Sequence, residues 1–270
     1  MPLNGGPELM HVALAGLGSV VVLGLLTWVV GTARRDVSLV DRMWSVFIAS
    51  AASTYAWLLP VRGPRTSLML VLVLVWALRL SIYITRRNWG HGEDRRYQQI
   101  RARNLPHFAV KSLYLVFGLQ TVLAWAISSP FVVGMGASGP LSALDFAGIA
   151  LAAFGIVFEA MGDAQMAQFK ADPRNSGHVM DRGLWRFTRH PNYFGETCVW
   201  WGLWLMALSG GGLAEVWSIV SPALMTVLLL KVSGVTLLER DITERRPAYR
   251  DYIARTNAFV PGLPRRTERP

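Results

Sequence analysis

Long apolar stretches, separated by short polar connections, run along almost the whole chain. The segment 67–78, for example, is apolar on every face, which is typical of a helix surrounded by lipid. Most stretches approach the roughly 20 residues that a helix needs to cross a bilayer. The pattern therefore predicts an all-α integral membrane protein with seven transmembrane helices, at about 9–31, 43–60, 66–85, 110–134, 143–168, 192–210 and 216–237.

The composition supports this class of protein and argues against a soluble helical protein with a large core. Charged residues make up only 16% of the 270 residues, well below the roughly 25% that is usual in soluble domains. No repeat, low-complexity segment or long polar insertion divides the chain. We therefore predict a single membrane domain over residues 1–270.

The basic residues are distributed unevenly among the connections. Most of the 27 Lys and Arg residues lie in every second connection and in the tail, whereas the connections 60–66, 135–142 and 210–215 hold only Arg62 and Arg65. The positive-inside rule then places the N-terminus outside and the C-terminus in the cytoplasm. In a bacterium this describes a multi-pass protein of the inner membrane. Because the basic residues lie in loops between spans, no nucleic-acid partner is expected.

The densest polar segment, 183–196, combines Arg, His, Asn, Tyr and Glu directly before an apolar run. Ionisable groups at the mouth of a membrane helix are costly to maintain, so their default interpretation is a functional site. Two further pairs each share a helix face because they are four residues apart, Glu159 with Asp163 and Arg79 with Tyr83. We expect one polar pocket at the cytoplasmic end of the bundle. Interfacial snorkelling or a helix–helix ion pair would account for any single member.

These polar residues do not match a metal site or a soluble nucleotide-binding fingerprint. The histidines are scattered over loops, and neither Gly-x-Gly-x-x-Gly nor a P-loop pattern occurs. We expect no metal. A nucleotide would have to be bound by side chains, with arginines on its phosphates and with Glu159, Asp163, Asn192 and Glu196 on its hydroxyl and amide groups.

The motif His-Pro-Asn-Tyr-Phe-Gly-Glu at 190–196, after Gly-Leu-Trp at 183–185, resembles the C-terminal signature of the steroid 5-alpha-reductase family, and most of all that of its bacterial branch. The resemblance extends to 36–44, to the two helix-face pairs named above and to the tail at 255–261. Known members are seven-span membrane enzymes that use NADPH to saturate a carbon–carbon double bond conjugated to a ketone in a steroid or related lipid.

The resemblance implies where the cofactor would bind. Asn192 and Glu196 correspond to residues that touch the nicotinamide end, and most of the implied contacts fall in the C-terminal half, 143–264. The full set of implied NADPH contacts is Arg79, Tyr83, Glu159, Asp163, Lys170, Arg182, Arg186, Arg189, His190, Asn192, Tyr193, Glu196 and Glu239.

The resemblance also implies a catalytic acid near the substrate carbonyl. Where animal members carry an essential Glu on span two and a Tyr on span three, this chain carries Asp41 and Trp76. We predict that Asp41 supplies or relays the proton, assisted by Arg42 or Tyr55. The alternative role for Asp41 is that of a helix N-cap. The substrate would be a lipid or steroid that enters a monomeric enzyme from the bilayer.

Two other functions stay open from the sequence. Isoprenylcysteine carboxyl methyltransferases share an Arg-His-Pro-x-Tyr-x-Gly core and use S-adenosylmethionine. Their paired glutamates before the tail are missing here, because Arg240 follows Glu239. The third possibility is a non-enzymatic membrane protein that binds lipid.

Overall fold

The chain is entirely helical over the part that the structure describes. The structure is a computed structural model that describes residues 6–60, 63–232, 235, 239 and 242–265. Helix accounts for 79%, and no strand occurs among these residues. The predicted all-α class is therefore confirmed for this part of the chain.

Ten helices can be followed in the described residues. They are α1 (Gly6–Ala33), α2 (Leu39–Leu58), α3 (Pro64–Arg87), α4 (Arg95–Arg103), α5 (Phe108–Gly134), α6 (Ala143–Ala171), α7 (Pro191–Gly211), α8 (Val220–Val227), α9 (Ile242–Arg245) and α10 (Tyr249–Arg255). Short 3-10 turns at Pro173–Asn175, Gly183–Arg186 and Gly212–Ile219 connect the later helices.

Five helical segments are long and apolar enough to cross a membrane, which supports a multi-pass membrane protein. They are Glu8–Ala33, Pro64–Arg87, Phe108–Gly134, Ala143–Ala171 and Pro191–Val232. The last of these covers two predicted spans. The seven-helix count and the orientation stay predictions.

The predicted second span corresponds to α2, which is not among the five apolar segments. It carries Asp41 and Arg42 in its first turn. It packs against both α1 and α3, and Tyr55 fills the space beside Gly16 of α1, where a Cβ atom would lie 2.1 Å from the tyrosine ring. A helix that buries two faces against protein needs less apolar surface than one surrounded by lipid.

The chain divides into two compact units. The first comprises residues 1–146 and 203–221, and the second comprises 147–202 and 222–270. The single-domain interpretation stays a prediction.

A buried ion pair lies inside the first unit. Arg65 at the start of α3 donates through Nε to Asp145 Oδ1 at 2.7 Å and through Nη2 to Asp145 Oδ2 at 2.9 Å. Their side chains are 3% and 0% exposed. Ser209 Oγ and the Ser142 backbone N–H also donate to Oδ2, at 2.6 and 2.8 Å. This pair joins the start of α3 to the start of α6 and the end of α7.

In the second unit, α6 and α7 approach each other closely through glycines. A Cβ atom on Gly195 would lie 2.7 Å from the carbonyl oxygen of Gly155 and 2.7 Å from the backbone nitrogen of Glu159. Small residues let helix backbones approach in this way. The crossing brings the Glu159 face of α6 against the first turn of α7, which carries the 190–196 motif.

Candidate functional site

The predicted catalytic acid of the first unit is held by side chains from α4. Asp41 Oδ2 accepts a hydrogen bond from Arg96 Nη2 at 2.7 Å, and Asp41 Oδ1 accepts one from the Tyr97 hydroxyl at 2.6 Å. Gln120 of α5 donates to the Tyr97 oxygen at 3.2 Å. The cap interpretation of Asp41 is therefore wrong, because the residue before α2 is Ser38 and both Asp41 oxygens bind side chains of another helix.

Tyr97 keeps its proton in this cluster. It is 7% exposed. Burial, reinforced by the charge and hydrogen bond of Asp41, raises its pKa well above the ordinary value of 10.0. At neutral pH the hydroxyl is therefore a donor to Asp41. The side chain of Asp41 is 19% exposed, so its carboxylate also reaches the surface.

A second carboxylate fixes the connection that carries α4. Glu93 accepts two hydrogen bonds from Arg101, at 2.8 and 2.7 Å, and one from the backbone N–H of Val37 at 3.0 Å. The Arg101 guanidinium lies 4.6 Å from the centre of the Phe108 ring. Although partial burial would raise the pKa of Glu93, its hydrogen bonds to Arg101 and Val37 lower it. The polar surroundings of Asp41 are thus preformed.

Three more predicted residues of the first unit lie near the level of Asp41 along the α2–α3 contact. Ser81 Oγ donates to the Arg42 carbonyl oxygen at 2.9 Å, and Ser45 Oγ donates to the Ala77 carbonyl oxygen at 2.9 Å. This register places Arg79 and Tyr83 beside the first turn of α2 and the fully buried Trp76 about one turn deeper. Arg79, Tyr83 and Trp76 are therefore brought to the Asp41 end of the unit.

Tyr55 is not brought to Asp41. The two residues are 14 positions apart on the same helix, or roughly 21 Å at 1.5 Å per residue. The Tyr55 hydroxyl is buried and forms a hydrogen bond with Ser128 Oγ at 2.9 Å. One carbonyl group cannot contact both Asp41 and Tyr55, so the predicted assistance by Tyr55 is corrected to a packing role.

In the second unit, three predicted acidic residues are buried around the α6–α7 crossing. Glu159, Asp163 and Glu196 are 1%, 4% and 7% exposed. A Cβ atom on Gly162 would contact Pro191 at 3.1 Å, so α6 meets the start of α7 at the residue before Asp163. Burying a carboxylate costs free energy unless hydrogen-bond donors or a positive charge compensate it, so these acids are candidates for ligand contacts.

Asn192 adds an acceptor to this group. Its Oδ1 atom is buried and has no hydrogen-bond partner among the described residues. A buried amide oxygen without a partner costs about 1–3 kcal/mol, which makes it a candidate contact for a ligand N–H. Asn192 and Glu196 are four residues apart on α7 and therefore share a face.

Arg189 and His190, both predicted cofactor contacts, bind a carboxylate of the protein instead. Arg189 donates to Glu239 through Nε at 2.7 Å and through Nη2 at 2.8 Å, and His190 Nε2 lies 2.9 Å from Glu239 Oε1. The His190 ring stacks on Tyr193 with centroids 5.2 Å apart. Although burial would raise the pKa of Glu239, hydrogen bonds from His190 and Arg189 lower it to about 2. These contacts assign Arg189, His190 and Glu239 first of all to holding the fold.

The same segment also binds the tail. The Arg189 backbone N–H donates to the Asn257 carbonyl oxygen at 2.9 Å, and the Gly262 backbone N–H donates to the Phe187 carbonyl oxygen at 3.0 Å. The buried Tyr252 of α10 donates to the Trp185 carbonyl oxygen. We call residues 249–262 the tail segment; it covers the connection that precedes α7.

We expect Glu239→Gln to loosen the tail segment, because Arg189 is 7% exposed and would lose its charged partner. The Glu239 pKa is lowered from 4.5 to about 2. Its stabilisation is therefore complete above about pH 4.5 and is lost as the pH falls towards 2. Hydrogen exchange of residues 249–262 measures this: wild-type protection should fall below about pH 4.5, and the variant should lack that step. Equal protection in both proteins at pH 7 would contradict the assignment.

The remaining predicted contacts, Lys170, Arg182 and Arg186, lie exposed at the end of α6 and in the connection before α7. Their exposed side chains lie where a charged ligand can reach them. Among the described residues, no group of three or more His, Cys, Asp or Glu could hold a metal ion.

The side chains that surround Asp41 were not predicted from the sequence. Helix α4 consists of Arg95–Arg103, nine residues of which four are arginines, and it looked like a basic connection. The available signal was Asp94, a helix N-cap that accepts from the Arg96 backbone N–H at 2.9 Å. The spacing of Tyr97 and Ile100 gave the helix one apolar face.

Comparison with known proteins gives a family without an assigned activity. A family model described as "Protein of unknown function (DUF1295)" matches residues 27–256. An uncharacterised protein of Schizosaccharomyces pombe is 23% identical over 276 aligned positions, which cover 93% of this chain and 80% of that protein. No solved structure matches the chain.

Proposed function

The chain belongs to the DUF1295 family, and from the polar residues of its two units we propose that it is an NADPH-dependent membrane reductase. The proposed reaction is reduction of the carbon–carbon double bond of an enone lipid, such as a 3-oxo-Δ4 steroid. The family is related to steroid 5-alpha-reductase-like membrane proteins, which agrees with the resemblance of the 190–196 motif.

The observation that carries the proposal is the buried Oδ1 of Asn192, which has no partner among the described residues. It suits the N–H group of a carboxamide, and the nicotinamide ring carries one. Glu196 lies on the same face of α7, and Glu159 and Asp163 lie on the α6 side of the crossing. Carboxylates accept hydrogen bonds from amide and ribose hydroxyl donors, so this group of acceptors fits the uncharged parts of a dinucleotide.

The charged part of the cofactor would be bound by the exposed cations of the second unit. Lys170 lies in the last turn of α6, and Arg182 and Arg186 lie in the connection between α6 and α7. A guanidinium binds phosphate through charge-assisted hydrogen bonds. Arg189 is left out of this set, because four of its N–H groups are directed at Glu239 and tail carbonyl oxygens.

NADPH, when bound, supplies the hydride. The protein's own task in such a reaction is to stabilise negative charge on the substrate carbonyl oxygen and to move a proton. We assign the proton transfer to Asp41. Arg96 and Tyr97 hold its two oxygens in place, and its 19% exposure lets it exchange protons with water. Trp76, about one turn deeper, contributes an apolar surface.

The substrate class follows from the membrane segments. Five apolar spans support an integral membrane protein, so an apolar substrate dissolved in the bilayer has direct access to its helices. We propose a lipid or steroid ketone for this reason.

Purified protein in detergent should transfer tritium from labelled NADPH to an enone lipid. Asn192→Ala should lower the rate by roughly 5- to 150-fold, the equivalent of about 1–3 kcal/mol for a buried polar contact. The matched control is Asn88→Ala at the end of α3, which removes an amide whose oxygen accepts an exposed hydrogen bond from the neighbouring Arg87 Nε at 3.1 Å. Methyl transfer from labelled S-adenosylmethionine, without tritium transfer, would establish the methyltransferase instead. If the protein transfers neither tritium nor a methyl group, non-enzymatic lipid binding is the remaining candidate function.

A further inference from the structure

A cavity of about 360 Å³ lies in the second unit directly after the end of α6. It is lined by Asp172, Arg174, Asn175, His178 and Arg182. Of these residues only Arg182 belongs to the predicted cofactor contacts. Its lining carries three side chains of the types that bind anions, two arginines and a histidine.

The wall of this cavity is fixed by hydrogen bonds within the loop. Asn175 donates through its backbone N–H to the Asp172 carbonyl oxygen at 3.0 Å, and through Nδ2 to the Phe169 carbonyl oxygen at 3.0 Å. The His178 backbone N–H donates to the Asn175 carbonyl oxygen at 3.0 Å. Gly177 has φ +81°, which a glycine adopts without strain. The cavity is therefore preformed.

The charges around the cavity are not balanced. Asp172 pairs with Arg174, whose Nη2 lies 2.8 Å from Oδ2. Hydrogen bonds from Arg174, together with the nearby charge of Arg182, lower the Asp172 pKa, so that carboxylate is ionised at neutral pH and interacts with both arginines. Arg182 forms no salt bridge within the part of the chain that the structure describes. The neighbouring carboxylate, Asp181, pairs with Arg255. Two guanidinium groups and one carboxylate therefore line the cavity, which leaves one positive charge in excess.

We propose that this cavity binds a phosphate monoester, with Arg182 as the main charged contact and Arg174, Asn175 and His178 around it. A phosphate monoester carries nearly two negative charges and three acceptor oxygens, which matches a cavity with several N–H donors and one uncompensated cation.

Two kinds of molecule carry a phosphate monoester that suits this cavity. One is NADPH, with its 2′-phosphate, and this version rests on the proposed function. The other is phosphatidic acid, with its headgroup. The cavity begins at Asp172, one residue after the candidate span Ala143–Ala171, and basic groups at the end of a span lie at the depth of anionic headgroups.

The test compares wild type with Arg182→Gln and with Arg250→Gln, an equal loss of charge at an exposed residue outside the cavity. Calorimetry with NADPH and with NADH reports on the nucleotide source, because only NADPH carries a phosphate monoester. We expect wild type to prefer NADPH about tenfold or more, Arg182→Gln to lose the preference and Arg250→Gln to keep it.

The lipid arm uses vesicles of phosphatidylcholine with and without phosphatidic acid, and measures how much phosphatidic acid copurifies with each protein. Loss of copurification in Arg182→Gln alone, without any nucleotide preference, identifies the lipid source. If Arg182→Gln changes neither measurement, the proposal is wrong. A protein that binds phosphatidic acid through Arg182 but transfers no tritium from NADPH would refute the proposed function and keep this site. If the protein transfers tritium from NADPH but Arg182→Gln equals wild type in both arms, the phosphate site is refuted and the proposed function stands.

Discussion

Asp41→Asn is expected to lower turnover of an enone substrate by roughly 10²–10⁴, the usual contribution of a positioned acid or base. Asparagine has the same shape but offers one acceptor in place of two. Its NH₂ group would face either Arg96 or Tyr97, both of which are donors in the native cluster. It also cannot take up and pass on a proton. NADPH affinity should survive, because the cofactor contacts that we propose in the second unit are untouched.

The control for this prediction is Asp94→Asn. Asp94 contacts the same arginine, with Oδ1 3.1 Å from Arg96 Nε, and caps α4. Asparagine is an equally good cap, so this variant removes a similar charge while leaving Asp41 in place, and we expect near-normal turnover. Turnover of Asp41→Asn at the wild-type level would exclude Asp41 from the mechanism. If both variants lost activity and stability to the same extent, Asp41 would serve only to attach α4.

Asp145→Asn should destabilise the protein by about 3–5 kcal/mol, because it leaves the Arg65 charge buried without its partner. Arg65 donates one short hydrogen bond to each oxygen of this carboxylate. Two further donors, Ser209 Oγ and the Ser142 backbone N–H, both bind Asp145 Oδ2. The desolvation cost of the remaining guanidinium dominates. Unfolding in a mild detergent titrated with a denaturing one measures the change.

Two variants make the result for Asp145 specific. The double substitution Arg65→Met with Asp145→Leu removes both charges and should recover most of the loss, since replacing a whole buried pair by apolar residues is often neutral. Arg174→Gln breaks an ion pair in which the arginine side chain is 89% exposed and should change stability little. If Asp145→Asn were as stable as wild type, the Arg65–Asp145 pair would not hold the first unit together.

Glu196→Ala and Gly195→Val would not separate function from folding as cleanly as Asn192→Ala does. Gly195 has no room for a side chain against Gly155, so its replacement would push α6 and α7 apart. This is why the test of the cofactor site uses Asn192, whose Oδ1 has no partner to lose within the described residues.

The sequence was sufficient for features that depend on local periodicity. Apolar stretches at 66–85 and 143–168 predicted α3 and α6, and the structure places helices at Pro64–Arg87 and Ala143–Ala171. Residues four apart, such as Glu159 and Asp163, necessarily share a helix face. The dense polar motif at 190–196 also lies where it was expected, at the start of a long apolar helix.

Pairings between distant segments were decided only by the tertiary structure. Nothing in the residues near Asp41 indicates that Arg96 and Tyr97, 55 and 56 positions away, bind its two oxygens. Arg65 likewise looked like a loop arginine and proved to be buried against Asp145. Ion pairs and hydrogen bonds require atoms within about 3 Å of each other, and the packing of helices, not their periodicity, sets those distances. The apolar pattern thus predicted long helices apolar enough to cross a membrane and a polar motif at the start of α7, whereas packing decided which charges pair within the fold.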